Sequence, residues 1–219
     1  MLRKIHRFWE EERNLLVLLI ILIVHMFIII PFGQEVLITR IIAALFYCFI
    51  LLAAWKYLNE NTRWGKILIV ATIGIILLLA IGTFRKEEWV VVLSNFSIIL
   101  YCVVLAWIVL LKTFSEGPIT IYRIEGSIVV YLLFGLIFAN AYELVFHFYP
   151  AISFKGISTG DIKEFQYFSF VSLTTVGYGD ITPSFPLSRS LANLESLLGQ
   201  LYPAILIARL VSMEISERK

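Results

Sequence analysis

Between Ser169 and Pro183 the chain reads SFVSLTTVGYGDITP, a run of hydroxyls followed by two glycines around a tyrosine and then one aspartate. The chemistry such a stretch offers is that of oxygen. Gly177 and Gly179 can take positive φ values closed to most residues. If their neighbours alternate with them in hand, successive main-chain carbonyls point one way and form a ladder of oxygens suited to a bare cation. The Thr175 hydroxyl would add an oxygen at one end of the ladder, and Asp180 would stand at its mouth.

The surrounding chain says where that ladder has to sit. Of 219 residues 60% are hydrophobic and 16% charged, with a mean hydropathy of +0.89, whereas soluble domains are about half apolar and a quarter charged. This is the composition of an integral membrane protein. A net charge of +2, with basic residues scattered between apolar runs, argues against nucleic acid as a partner. Cys48 and Cys102 both fall in apolar segments, where a thiol acts as a small hydrophobe, so neither a disulfide framework nor a metal motif is indicated. No Ser/His/Asp or Cys/His constellation suggests an enzyme.

A bilayer core about 30 Å thick takes about 20 apolar residues per helix, and the sequence predicts spans at 14–31, 36–55, 66–82, 89–111, 127–148 and 187–213. The first run ends in IIIPFG without a small-residue cleavage site, which reads as a retained helix rather than a signal peptide. The pattern divides the chain into a four-helix peripheral domain (1–111), a linker (112–126) with a lateral helix or turn, and a pore-forming part (127–219). Lys and Arg in the short connections set the orientation. With the amino terminus inside, Arg3, Lys4, Arg7, Arg13, Lys56, Arg63, Lys66, Lys112, Arg123, Arg218 and Lys219 collect on the cytoplasmic side. The outer side receives Arg85, Lys86, Lys155, Lys163 and Arg189. Both termini are then cytoplasmic, in a multi-pass protein of the plasma membrane in contact with its lipids.

Residues 162–174 are apolar enough to enter the bilayer and too few to cross it, so they predict a re-entrant helix. Asp161 and Glu164 have the D-x-x-E spacing of a capping pair at its start. Its far end carries partial negative charge, which favours a cation. The following TTVGYGD must return as irregular backbone, permitted at depth only where it is buried in protein or lines a water-filled cavity.

On those residues the chain resembles the potassium channel superfamily. TTVGYGD matches its selectivity-filter signature at every position, and the order helix, re-entrant helix, filter, helix is similar to the whole pore domain. The resemblance implies an all-α integral membrane protein with six transmembrane helices, a re-entrant pore helix and filter between helices five and six, and a homotetrameric pore. It implies that Thr175, Val176, Gly177 and Tyr178 coordinate K+, the transported ion, with Thr174, Gly179 and Asp180 supporting the filter. It further implies that Gly199, at the hinge spacing of the inner helix, lies next to a cavity-facing Gln200. Close packing against the re-entrant helix explains Gly199 equally well.

Pro203 cannot donate to the Gly199 carbonyl, which predicts a bend over 199–203. Ile207 and Val211 follow at helical spacing as a candidate apolar gate. Glu195, an acid inside an apolar helix, is expected to make a substitute contact behind the filter, since Val171 stands where some relatives carry an acid. Tyr178 is expected to brace the filter from outside. Asn140, Glu143 and His147 share a helical face and suggest an outer polar cluster.

The fourth span has no Arg or Lys from Trp89 to Leu111, so strong voltage gating is not expected. Only EISERK follows the sixth span, too little for a soluble ligand-binding domain. Two competing readings are a secondary transporter, which would show pseudo-repeats, and a non-conducting or regulatory pore-like subunit.

Overall fold

The computed structural model describes residues 15–32, 73–74, 88–114 and 120–217. The expected span 36–55, and 66–82 apart from its helical residues 73 and 74, lie outside them. Among the described residues three helices are long and apolar enough to cross a membrane: Glu88–Leu111, Ile121–Phe148 and Pro186–Ser212. A shorter apolar helix, Leu15–Ile29, precedes them.

We label the helices α1 (Leu15–Ile29, continuing to Phe32), α2 (Glu88–Thr113), α3 (Ile121–Phe148), α4 (Ile162–Leu173) and α5 (Pro186–Glu217). The α3 helix begins six residues before the expected span. Residues 121–126, read from sequence as the end of a linker, instead form its first turns. Gly126 explains the difference, because a methyl there would crowd the Thr113 hydroxyl, Val109 and Leu15. That contact carries α3 down to the end of α2, and Ser127 adds a bond of 2.7 Å to the Arg123 carbonyl.

Leu15, Leu18, Leu22 and Met26 recur at three- and four-residue spacing on α1 and are buried. So are Ile98, Tyr101, Leu105 and Val109 on α2, and Val129, Leu133 and Leu136 on α3. These stripes meet in one core. The opposite face of α2 is equally apolar, with Leu93, Phe96, Leu100, Val103 and Trp107 exposed, as suits a helix with lipid on its far side. Lipid tails are as apolar as leucine, so close packing and hydrogen bonds rather than water exclusion hold such helices together. Gly135 on α3 is an instance: without a side chain it admits the Phe170 ring of α4.

At 1.5 Å per residue the 12 residues of α4 reach about 18 Å, well short of a bilayer core. Two short strands show that the segment returns to the side it left. Strand β1 (Phe154–Lys155), just after α3, pairs antiparallel with β2 (Thr182–Pro183), just before α5, with Phe154 opposite Pro183 and Lys155 opposite Thr182. Apart from this pair the elements among the described residues are helical. A second core of Phe138, Tyr142, Phe154, Phe165 and Phe168 packs the carboxyl-terminal part of α3 against α4 and β1.

One irregularity in α1 ties it to α4. Residues His25–Ile29 form a π-turn, in which the Ile30 N–H bonds the His25 carbonyl. In that pattern the Met26 carbonyl would take its hydrogen from residue 31, which is proline and has none. Gln166 of α4 supplies it, with Nε2 2.5 Å from the Met26 oxygen, and Phe27 packs beside Phe170 at 5.4 Å between ring centroids.

Gln166→Leu, which keeps the volume and removes the donor, should lower unfolding stability by about 1 kcal/mol, the usual scale for such bonds between membrane helices. Pro31→Ala returns an N–H to residue 31 and should recover most of that loss. Thermal unfolding of the two single variants and the double variant in detergent measures the coupling.

Candidate functional site

A helix leaves its last four carbonyls without partners inside the helix, and in α4 each finds one elsewhere. The Phe170 carbonyl accepts from the Thr174 N–H at 3.0 Å and from the Thr174 hydroxyl at 2.6 Å. Val171 accepts from the N–H groups of Val176 (3.0 Å) and Gly177 (3.3 Å). Ser172 accepts from the Thr175 N–H at 3.0 Å and from the Ser196 hydroxyl of α5 at 3.2 Å. Leu173 accepts from the Tyr131 hydroxyl of α3 at 3.3 Å. The N–H groups of residues 174 to 177 therefore all turn back toward α4.

Beyond them the backbone alternates in hand. Thr175, Gly177 and Gly179 have φ of 59°, 61° and 81°, while Val176 and Tyr178 between them are not positive. This is the alternation the sequence suggested for a carbonyl ladder. Thr175 is the one non-glycine residue with positive φ among the described residues. A β-branched side chain is an outlier there and persists only where its surroundings over-determine it; three bonds from Thr174, Thr175 and Val176 into α4 do so. A methyl at Gly177 or Gly179 would meet nothing within 4 Å in the single chain, so within it these positions need glycine for backbone angle.

Outside the strand, Tyr178 is 71% exposed in the single chain and lies parallel to Tyr167 of α4, with ring centroids 6.4 Å apart and planes within 1°. The Tyr167 hydroxyl donates to Asp180 and, aided by the backbone N–H groups of Ile181 and Asp180, holds its carboxyl below the usual range against a smaller opposing effect of burial. Tyr167 was not singled out from the sequence. Its only signal was a polar-tipped ring on a short helix ending at the motif.

The exit strand is fastened in turn. Gly156, at φ of 86°, sits against the Asp180 backbone. The Ser184 N–H and Ser188 hydroxyl both donate to the Ser153 carbonyl, at 3.0 and 2.7 Å. Arg189 Nε donates to the Pro183 carbonyl at 3.1 Å.

The start of α4 departs from the expected capping pair. Asp161 makes no side-chain cap bond, and Glu164 reaches past it to the preceding loop. Its carboxylate accepts from the N–H and hydroxyl of Ser158, the N–H and hydroxyl of Thr159 and the N–H of Gly160, at 2.5 to 3.1 Å. Burial opposes the charge, but these donors together pull the carboxyl down to about 2.

On α5, Gly199 is where the sequence left two explanations open, and close packing has direct support: a methyl there would fall on the Leu173 carbonyl. Pro203 lies inside α5, which runs on as helix to Glu217. Gln200, Ile207 and Val211 are exposed in the single chain. Glu195 is fully buried, but its partners are not in the strand that follows α4. The Tyr142 hydroxyl of α3 lies 2.6 Å from its Oε2 and the Ser169 hydroxyl of α4 lies 2.5 Å from its Oε1. Asp180 is served by Tyr167 instead.

The suggested cluster of Asn140, Glu143 and His147 does not form. Asn140 bonds back to the Leu136 carbonyl of its own helix at 2.7 Å. Glu143 meets Asn95 of α2, and His147 packs edge-on to Phe148. A shared helical face gave these residues proximity, while Asn140 and His147 found partners within α3 and only Glu143 reached another helix.

Long apolar helices around a short helix and an alternating strand define an integral membrane protein. Residues 126–215 match the family Ion_trans_2, described as an ion channel; the match takes in α4, the strand and nearly all of α3 and α5. Protein LctB of Geobacillus stearothermophilus is 40% identical over 50 residues, which are 23% of this chain and 37% of that protein. The chain thus spans little over a third of that relative's length. No solved structure matches.

Two predictions follow from the packing around the strand. Gly199→Ala should push α5 off the end of α4 and cost about 1–3 kcal/mol, the scale of overpacking against backbone, read as a lower midpoint of thermal unfolding. Glu164 has a depressed carboxyl in the folded protein, so the stability it contributes is present above the ordinary carboxylate range. That contribution should disappear as pH falls from about 4.3 through about 2. Unfolding midpoints measured against pH should show this fall in the wild type, and in Glu164→Gln a lower midpoint that falls less steeply across the same window.

Proposed function

We propose that the protein is a potassium-selective channel, a homotetramer in the plasma membrane with both termini cytoplasmic, conducting K+ passively through four copies of the strand at 175–178. The observation that carries this reading is the alternating backbone of Thr175–Gly179 with its N–H groups turned back to α4. Such a strand turns its carbonyls to the side away from α4, where oxygens of Thr175, Val176, Gly177 and Tyr178 from four subunits replace the hydration shell of K+. Thr174, Gly179 and Asp180 hold the strand in shape. One chain supplies one wall, so conduction requires the assembly.

In this reading the exposed face of α5 lines the cavity and contacts neighbouring subunits, with Gln200 toward water and Ile207 and Val211 as an apolar constriction below Pro203. The α2 helix carries no Arg or Lys between Trp89 and Leu111, which supports a channel without a strong voltage sensor.

Purified protein in liposomes should pass potassium far faster than sodium, with block by barium. Gly177→Ala should abolish the potassium preference, because the left-handed angle costs an alanine about 1–2 kcal/mol at each of four subunits. Equal sodium and potassium flux in the wild type would overturn the selectivity, and no flux from an intact assembly would favour a non-conducting pore-like subunit.

A further inference from the structure

Ser169 on α4 stands between two oxygens. Its Oγ is 2.9 Å from the Gly135 carbonyl of α3 and 2.5 Å from Glu195 Oε1 of α5. A serine hydroxyl has one hydrogen and a main-chain carbonyl has none to give. If Ser169 donates to Gly135, the hydrogen between Ser169 and Glu195 must come from the carboxyl group. If Ser169 donates to Glu195, two bare oxygens face each other across 2.9 Å in a buried site. Tyr142 closes the arrangement, since its one hydrogen satisfies Glu195 Oε2. Only the first assignment places one hydrogen in each of the three contacts.

The surroundings agree. Glu195 is fully buried, and the groups acting on it are the Ser169 and Tyr142 hydroxyls, with no cation among them. Tyr131, also on α3, is the other titratable group that feels it. A buried carboxylate without a cation is costly in the apolar layer, whereas a carboxylic acid with one donor and one acceptor is matched to these two neighbours.

We propose that Glu195 carries its proton on Oε1 and donates it to Ser169. The result is a one-way chain, Tyr142 to Glu195 to Ser169 to the Gly135 carbonyl, that ties α3 and α5 to α4 and positions the filter strand. Glu195 touches no ion and is a positioning residue; this role rests on the channel reading above. Three hydrogen bonds in a row are fixed in direction by a single acid, so α4 can neither slide along α3 nor rotate away from α5 without breaking a bond. Four residues further along α5, Gly199 meets the Leu173 carbonyl, so the same helix locates α4 at its middle and at its end.

The test is substitution by an amide. In Glu195→Gln the amide N–H replaces the acid hydrogen toward Ser169 and the amide oxygen accepts from Tyr142. Potassium flux and the preference over sodium should therefore stay within about twofold of wild type, while Glu195→Ala should lose about tenfold, the scale of leaving buried partners unpaired. An infrared difference spectrum of wild type minus Glu195→Gln in lipid should contain the carbonyl stretch of a protonated acid, shifted in deuterated water. Absence of that band, or a Glu195→Gln protein that fails to fold or falls as far as Glu195→Ala, would overturn the proposal. A wild type that passes no potassium would remove the channel reading and with it the positioning role. The band, together with a wild-type thermal midpoint in Glu195→Gln, would still decide where the proton sits.

Discussion

Irregular backbone inside an apolar layer is tolerated only when its polar groups are paired, and the structure around α4 is organised by that constraint. Four terminal carbonyls of one short helix receive hydrogens from Thr174, Thr175, Val176, Gly177, Tyr131 and Ser196. The main-chain donors among these fix which way the strand after α4 faces. The hydroxyl donors come from α3 and α5, so the two long helices are attached to the helix end as well as packed around it. Phe170, Val171 and Ser172 each accept from two donors, whereas the Leu173 carbonyl relies on the Tyr131 hydroxyl.

The same economy governs the start of α4. The Glu164 carboxylate collects the loop 158–160, Ser153 collects Ser184 and Ser188, and β1 holds β2. Both ends of the re-entrant segment are thereby fixed to the end of α3, which makes its depth a matter of geometry: 12 helical residues down, then an extended strand back. Apolar contact supplies little orientation here, because Phe138, Tyr142, Phe165 and Phe168 would be content against lipid; polar pairs choose among the packings that the rings allow.

How far the sequence disclosed this depended on whether a residue's partner was local. The motif at 174–180, the short helix before it and the close approach at Gly199 were legible because glycine, helix length and spacing act on the backbone directly. The alternating hand of Thr175 to Gly179 followed from the same signals. Asp161 and Glu164 had a capping spacing, but spacing could not show that a loop folded back over α4 would outnumber the cap as a source of donors. Asn140, Glu143 and His147 shared a face and nothing else, since Asn95 was unremarkable in its own helix. Glu195 was conspicuous as an acid, yet its partners Tyr142 and Ser169 lie on other elements, one of them far away in sequence. Tyr167 escaped because an aromatic on an apolar helix announces packing before hydrogen bonding. The start of α3 was misjudged because Arg123 and Glu125 read as surface residues, while Gly126 made the contact that prolonged the helix.

The bond from Gln166 to Met26 spans 140 residues, which gives it a history as well as a place. Chains grow from the amino end at about 5–20 residues per second, so α1 is made, and can enter the bilayer, on the order of 10 s before Gln166 exists. Through that interval the Met26 carbonyl has no N–H at residue 31 to turn to. The α1 helix is thus born with an unfilled place in it, which stays open until α4 is made.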